Sequence, residues 1–326
     1  MFEQIYSIIL TTVKIIGILG TIRLIADIVS SLKHQWSSPP KDFTHLKEKY
    51  GSGSFAVITD ASSTLGAQFS TFLANLGFNL VLLAPSNEAL EYSQKRVEES
   101  IDEENRSKIK IKGIVADFKG SAEVEFFKKV ETEIGNLDIS ILVNNTEMQQ
   151  SPSNSEAIKP DYQELIDLVT VNCCSQVGMT KLIAPRMIKR GLRTGKRGAV
   201  IDLSSFVSIT PFPQVETYNA TKIFNNFITL GLGGYKDDWI DWLSLQPTIV
   251  KERKGGEGSG RGAKGLKFVK ADDVVRGAFA DLGVYAQSTG ARSLLSTWYG
   301  TRRFDHLLPE TWFMGLFLKP SKVKRF

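Results

Sequence analysis

The sequence predicts an α/β protein: one parallel sheet covered by helices on both faces, in a single domain behind an N-terminal membrane-anchor helix. Three observations lead there. From about residue 54, short and nearly continuous apolar runs alternate with segments of helical periodicity, the pattern of strands buried on both sides. Ile5 to Val29 is dominated by Ile, Leu, Val and Thr over a length that can cross a bilayer. With 326 residues, the chain is long enough for one large domain plus an appendage.

The apolar N-terminus is interrupted by Lys14, Arg23 and Asp27. A central lysine costs roughly 2.5–3.5 kcal/mol on an insertion scale, and snorkelling or a partner lowers that cost. Arg23 and Asp27 are spaced to pair on one helix face. No small-residue cleavage site and no Arg/Ser-rich transit pattern is present, so residues 1–33 are expected to be a retained anchor. A helix packed on the domain or lying in the interface is the alternative. Residues 34–50 are polar, contain Pro39-Pro40 and are predicted to be a linker.

The domain is expected to fill 51–326. Phe55–Thr59 predicts the first strand, and Leu65–Leu76 a helix. Asn79–Leu83 predicts a second strand, followed by a helix over Asn87–Ile101. Ile109–Val115 and Leu137–Val143 predict the third and fourth strands. Val200–Leu203 and Trp242–Leu245 follow as later strands. Gly255–Gly262 lies in a basic loop at about 251–267, either a lid or a solvated linker. Near the end, Trp312–Leu318 is apolar but too short to span, and Lys319, Lys322, Lys324 and Arg325 follow it. This basic tail is expected to lie on an anionic membrane surface.

Composition narrows the chemistry. A net charge of +5 suits solubility or an anionic membrane and is too diffuse to argue for nucleic acid. The two cysteines, Cys173 and Cys174, are adjacent and supply no disulfide framework, which fits a reducing compartment. Three scattered histidines with no Cys/His cluster predict no metal site.

Tyr218-Asn-Ala-Thr-Lys222, with Ser205 upstream, forms a proton-transfer group for carbonyl/alcohol chemistry. Free tyrosine has a pKa near ~10 and is a poor base at neutral pH. A lysine at i+4 projects from the same helix face and favours the phenolate, a shift of three units corresponding to roughly 4 kcal/mol. Ser205 would hold the substrate oxygen while Tyr218 moves its proton. Taken alone, Tyr-x-x-x-Lys is equally a surface pair on a helix.

The order of these motifs resembles the short-chain dehydrogenases/reductases. They comprise the first strand–turn–helix, Leu142-Val-Asn-Asn145, Leu203-Ser-Ser205 and Tyr218–Lys222, over about Ser54 to Leu295. Within that family the chain is most similar to the membrane-anchored branch of very-long-chain 3-oxoacyl-CoA reductases and 17-beta-hydroxysteroid dehydrogenases. That branch shares the apolar N-terminus, a run like Val115-Ala-Asp-Phe118 and a basic tail after a segment like Leu308–Trp312. The resemblance implies a Rossmann-type, doubly wound sheet and bound NADP, with NAD as the alternative. By position it implies Tyr218 as proton donor/acceptor, Lys222 as its electrostatic partner and ribose ligand, and Ser205 as the group that orients the carbonyl. Asn172 matches a helix-breaking asparagine that supports a proton-relay water. Asp117 matches a carboxylate near the adenine, and Asn145 lies beside the adenine ribose. Leu65, Gly66 and Val250 complete the implied cofactor contacts. Asn172 and Asp117 also have a plain structural use, capping a helix or turn.

The pattern breaks where the phosphates would sit. Family members carry Thr-Gly-x-x-x-Gly-Ile-Gly, whereas this chain has Thr59-Asp-Ala-Ser-Ser-Thr-Leu-Gly66. Early glycines let the backbone bend and a pyrophosphate approach the helix. A carboxylate at Asp60 would repel a phosphate ~4 Å away by roughly 4 kcal/mol at an effective dielectric of 20. Asn144-Asn-Thr-Glu147 stands in place of Asn-Asn-Ala-Gly, adding bulk and charge. Ala84-Pro85-Ser86 lacks the arginine that many NADP users have and also lacks an acid favouring NAD. Gln246-Pro247-Thr248 lacks the glycine usual after proline, and Glu252 replaces a threonine.

Two readings follow. One is a membrane-bound oxidoreductase acting on a hydrophobic ketone or alcohol, lipid-like or acyl. The other is a pseudoenzyme without cofactor, serving as a scaffold or interaction subunit. A pure membrane-binding module explains the anchor but not the Ser/Tyr/Lys/Asn set. The branch resemblance points to the endoplasmic reticulum, with a mitochondrial membrane as the alternative. In this family the helix bearing Tyr218 often joins an oligomer interface.

Overall fold

A computed structural model describes residues 2–36, 39–150, 161–208, 215–235, 239–248, 250, 269–284 and 286–290. The loop at 251–267, the tail beyond 290 and the Asp27 side chain fall outside these residues.

Helix α1 (Phe2–Trp36) runs past the expected boundary at 33. Its Glu3–Arg23 portion has a mean hydropathy of 1.9, is wholly unburied, and is long and apolar enough to cross a bilayer. Apolar residues surround it on all sides, which distinguishes it from a one-faced surface helix.

A second, short helix, α2 (His45–Tyr50), corrects the linker expected over 34–50. Phe43, Leu46 and Tyr50 are buried in the core. Phe43 packs edge-on against Phe72 at 5.1 Å, and the Arg276 guanidinium lies 5.1 Å from its ring centre. The Tyr50 hydroxyl donates to Asp241 at 2.8 Å, and Asp241 also pairs with Lys49 (2.7 Å) and Arg197 (2.9 Å). The polar residues between these apolar ones face water, so the segment read as linker is a strap.

The domain then alternates as expected: β1 (Phe55–Ile58), α3 (Thr64–Asn75), β2 (Asn79–Ala84), α4 (Asn87–Ser100), the short α5 (Glu103–Arg106), β3 (Ile111–Val115), α6 (Val124–Ile134) and β4 (Ile139–Asn144). It continues through α7 (Tyr162–Val169), α8 (Ser175–Thr194), β5 (Gly198–Leu203), α9 (Glu216–Gly233), β6 (Ile240–Leu245), α10 (Ala271–Asp281) and β7 (Gln287–Ser288). The seven strands among the described residues are parallel, in the order β3-β2-β1-β4-β5-β6-β7. β2, β4 and β5 are buried along their whole length, which is why they read as unbroken apolar runs.

Alternate residues of each strand face opposite layers. Ala56, Ile58, Leu80 and Leu82 pack with α3 and α10 side chains such as Phe69, Phe72 and Phe279, which also receive the strap. Val57, Val81, Leu83 and Leu142 face Val130 and Ile134 of α6 and Met179, Ile183 and Met187 of α8. Chain connections diverge from β1 toward β2 on one side and β4 on the other. This switch opens a crevice above the carboxyl ends of the strands, the usual ligand position in such sheets.

Candidate active site

Three side chains converge above β5. Ser205 follows the strand end, while Tyr218 and Lys222 lie one turn apart on α9. The Ser205 hydroxyl lies beside that of Tyr218 and acts to lower its pKa. The Lys222 ammonium sits 5.4 Å from the Tyr218 ring centre. Lys222 is completely buried and donates to the Leu203 carbonyl at 3.2 Å. Burial of so long a cation requires a charged or multiply accepting partner.

That partner is Glu147. Its carboxylate lies 2.7 Å from Lys222 Nζ and accepts the Tyr218 hydroxyl at 3.2 Å. Burial raises the Glu147 pKa, but the Lys222 charge and hydrogen bonds from Lys222, Gln149 and Tyr218 outweigh it and hold the carboxyl below its ordinary range. Tyr218 moves the opposite way from the sequence expectation. Burial pushes its hydroxyl well above 10 and the Glu147 charge adds to this, against the Ser205 hydroxyl. The lysine charge expected to prime the phenol is neutralised by the carboxylate.

The turn after β1 is held by Asn145. Its side-chain amide donates to the Thr59 and Asp60 carbonyls (3.0 and 2.9 Å) and to Ser63 Oγ (2.9 Å). Asp60 has φ +46°, the left-handed conformation that the family's glycine would adopt without strain. Its carboxylate accepts from Ser62 at 2.6 Å, and burial raises its pKa, with nearby Glu147 pushing the same way. Ser63 caps α3 by accepting from the Gly66 amide at 3.1 Å. A Cβ on Gly66 would overlap the Asp60 carbonyl oxygen, so close packing inside the turn explains why this glycine is retained. Leu65 is buried beside it.

The remaining expected residues have structural partners. Asn172 lies in a wide, π-type turn (Thr170–Cys174) between α7 and α8. It accepts from the Met148 amide (2.7 Å), donates to the Met148 carbonyl (3.0 Å) and donates to Thr221 (3.0 Å). Asp117 is exposed after β3 and caps a single turn through Lys119 N at 3.0 Å. Val250 forms an isolated parallel bridge with Val269. No group of three or more potential metal ligands occurs among the described residues.

Two buried acceptors beside the turn, Asn145 Oδ1 and Thr146 Oγ1, have no hydrogen-bond partner. Buried polar atoms are normally satisfied, so these suit a hydroxyl-bearing ligand on that side. The ribose hydroxyls of a dinucleotide would find acceptors here. The nicotinamide end does not fit while Glu147 occupies Lys222.

Sequence reasoning flagged Glu147 as extra charge and missed that it reaches Lys222. It also missed Asp202, which is buried at the end of β5 and bonded to Asn144 (2.7 Å) and Thr229 (2.6 Å). Burial lifts its pKa to about 6, against those hydrogen bonds. Its place inside an apolar strand was the available signal.

Residues 54–251 match the family model described as short chain dehydrogenase. The chain is 28% identical over 240 residues to a very-long-chain 3-oxoacyl-CoA reductase-B from Danio rerio, covering 73% of this chain and 71% of that one. A very-long-chain 3-oxoacyl-CoA reductase from Neurospora crassa is 33% identical over 200 residues, covering 61% of this chain and 56% of that protein. The alignment thus spans little more than half of the fungal relative. Among solved structures, a short-chain dehydrogenase from Sphingobium yanoikuyae in complex with NADPH superposes with a TM-score of 0.61 at 22% identity. It covers 83% of this chain and 98% of that one, and at this identity the likeness establishes the fold.

Proposed function

The chain belongs to the short-chain dehydrogenase family, and we propose that it is a membrane-associated oxidoreductase acting on a hydrophobic carbonyl or alcohol of acyl type. The single observation that carries this reading is the meeting of Ser205, Tyr218 and Lys222 above the carboxyl end of β5. A nicotinamide dinucleotide, NADP with NAD as the alternative, would supply or accept the hydride when bound. Ser205 orients the substrate oxygen, and the neutral Tyr218 hydroxyl gives it a proton during reduction. A pKa well above 10 keeps the phenol protonated at neutral pH but makes it a weak acid, so proton transfer is favoured once the Glu147 carboxylate, which helps raise that pKa, has moved away. The very-long-chain reductase relatives support an acyl-thioester substrate, and α1 supports a membrane setting. The branch resemblance makes the endoplasmic reticulum the membrane to examine first.

One observation favours a second reading, a scaffold without cofactor: Glu147 and Asp60 place two carboxylates along the groove. Full-length protein in detergent, titrated with NADPH and NADH and then given a long-chain 3-oxoacyl-CoA, separates the two. Saturable binding followed by cofactor oxidation supports the oxidoreductase. No saturable binding of either cofactor at millimolar concentration removes it and leaves the scaffold.

A further inference from the structure

We infer that Glu147 is a built-in competitor for the cofactor's place on Lys222, so that dinucleotide binding in this chain is an exchange of one partner of the lysine for another. The inference rests on the oxidoreductase reading and adds to it a residue that sets cofactor affinity.

Lys222 is fully buried, and it is held by the Glu147 carboxylate at 2.7 Å and the Leu203 carbonyl at 3.2 Å. A ribose offers neutral hydroxyls, which make weaker bonds to an ammonium than a carboxylate does. The ligand must therefore displace a stronger acceptor. The same displacement frees the Tyr218 hydroxyl, which Glu147 also accepts at 3.2 Å. One swing of one side chain thus uncovers both groups.

The main chain around Glu147 is pinned on both sides. The Thr146 amide donates to Thr59 Oγ1 at 2.9 Å, and both the amide and the carbonyl of Met148 are bonded to Asn172. Gln150 adds a further tie by accepting from the Tyr218 amide at 3.2 Å. Loop opening would break all of these bonds, whereas side-chain rotation breaks only those of the carboxylate. The Glu147 side chain is 26% exposed, so it has a route to water. Asn172 therefore acts here as the positioning residue for the loop that carries the competing carboxylate.

The test compares full-length wild type with Glu147→Gln and Glu147→Gly in detergent, by calorimetric titration with NADPH and NADH and by melting with and without cofactor. Both variants should bind about tenfold tighter or better, the worth of one charge-assisted hydrogen bond. Their cofactor-free melting temperatures should fall because Lys222 loses its partner, and added cofactor should raise them further than it raises wild type. If wild type and variants bind with equal affinity, Glu147 is not a competitor and the oxidoreductase reading stands. If none binds, this inference and the oxidoreductase reading fall together, and the scaffold reading remains. Glu147→Asp, which keeps the charge and shortens the reach, should show intermediate affinity. Should Glu147→Gly fail to fold, Glu147→Asp and the near-isosteric Glu147→Gln decide the matter, and wild-type affinity in both overturns the inference.

Discussion

The side-chain amide of Asn145 donates to the main-chain oxygen of Asp60 at 2.9 Å and so fixes, in a residue that carries a Cβ, a turn of left-handed conformation. Aspartate tolerates this region better than most residues, yet a left-handed L-residue still costs roughly 1–2 kcal/mol. Asp60→Gly removes that cost and a carboxylate disfavoured by burial, at the expense of about 0.5–1 kcal/mol of backbone entropy. The variant should melt about 1–3 °C higher than wild type by scanning calorimetry. A lower melting temperature would show that the Ser62 bond to Asp60 outweighs both effects.

Asp202 sets a pH dependence whose sign is fixed by its surroundings. Its pKa rises from 3.8 to about 6 on folding, so the folded protein holds this proton over a window in which the unfolded chain has released it. Its contribution therefore declines as pH rises from about 4 to about 6 and stays unfavourable above, by about 3 kcal/mol. Asp202→Asn should raise stability at neutral pH and flatten that part of the profile in urea melts. Thr229 can accept from the new amide while keeping its own bond to the Asn225 carbonyl (2.8 Å). Unchanged pH dependence in the variant would refute the assignment.

Tyr218→Phe removes the proton donor while keeping the ring beside Lys222. Turnover of a 3-oxoacyl-CoA should fall by roughly 10²–10⁴-fold, with cofactor affinity and melting temperature little altered. Equal loss of cofactor binding would show that the hydroxyl holds the ligand instead of moving a proton.

The strap makes a separate prediction about stability. Leu46→Ala should cost about 2–5 kcal/mol in denaturant unfolding, as a fully buried side chain does. Tyr50→Phe should cost about 1 kcal/mol, because Asp241 keeps Lys49 and Arg197. A truncation beginning after Tyr50 should be markedly less stable than one that retains Phe43, and equal stability would mean that the strap only decorates the surface.

Most of the sheet was legible because buried parallel strands write themselves as apolar runs. Phe55, Asn79 and Val115 mark strand ends that agree with the sequence reading. β7 was not legible: at two residues, Gln287–Ser288 carries no periodicity. The strap was hidden by His45, Lys47, Glu48 and Lys49, although Phe43, Leu46 and Tyr50 already share a helical face in spacing. At the candidate site, Ser205, Tyr218 and Lys222 were legible as a spacing because one helix and one strand end position them. The state of the phenol was not, since it depends on Glu147, a residue 71 positions away whose reach is set by the fold. Asn145 was expected beside a ribose, and the fold also gives it the task of closing the turn.

Phe43, Leu46 and Tyr50 lie beneath the amino ends of the strands, whereas Tyr218 and Lys222 lie above the carboxyl ends. Whatever grips the first helix therefore holds the domain by its floor, with the full height of the sheet between mooring and mouth. A tug on that tether reaches Asp241 and the aromatic cluster well before it reaches the phenol. Substitutions in α1 should thus leave turnover at Tyr218 unaltered.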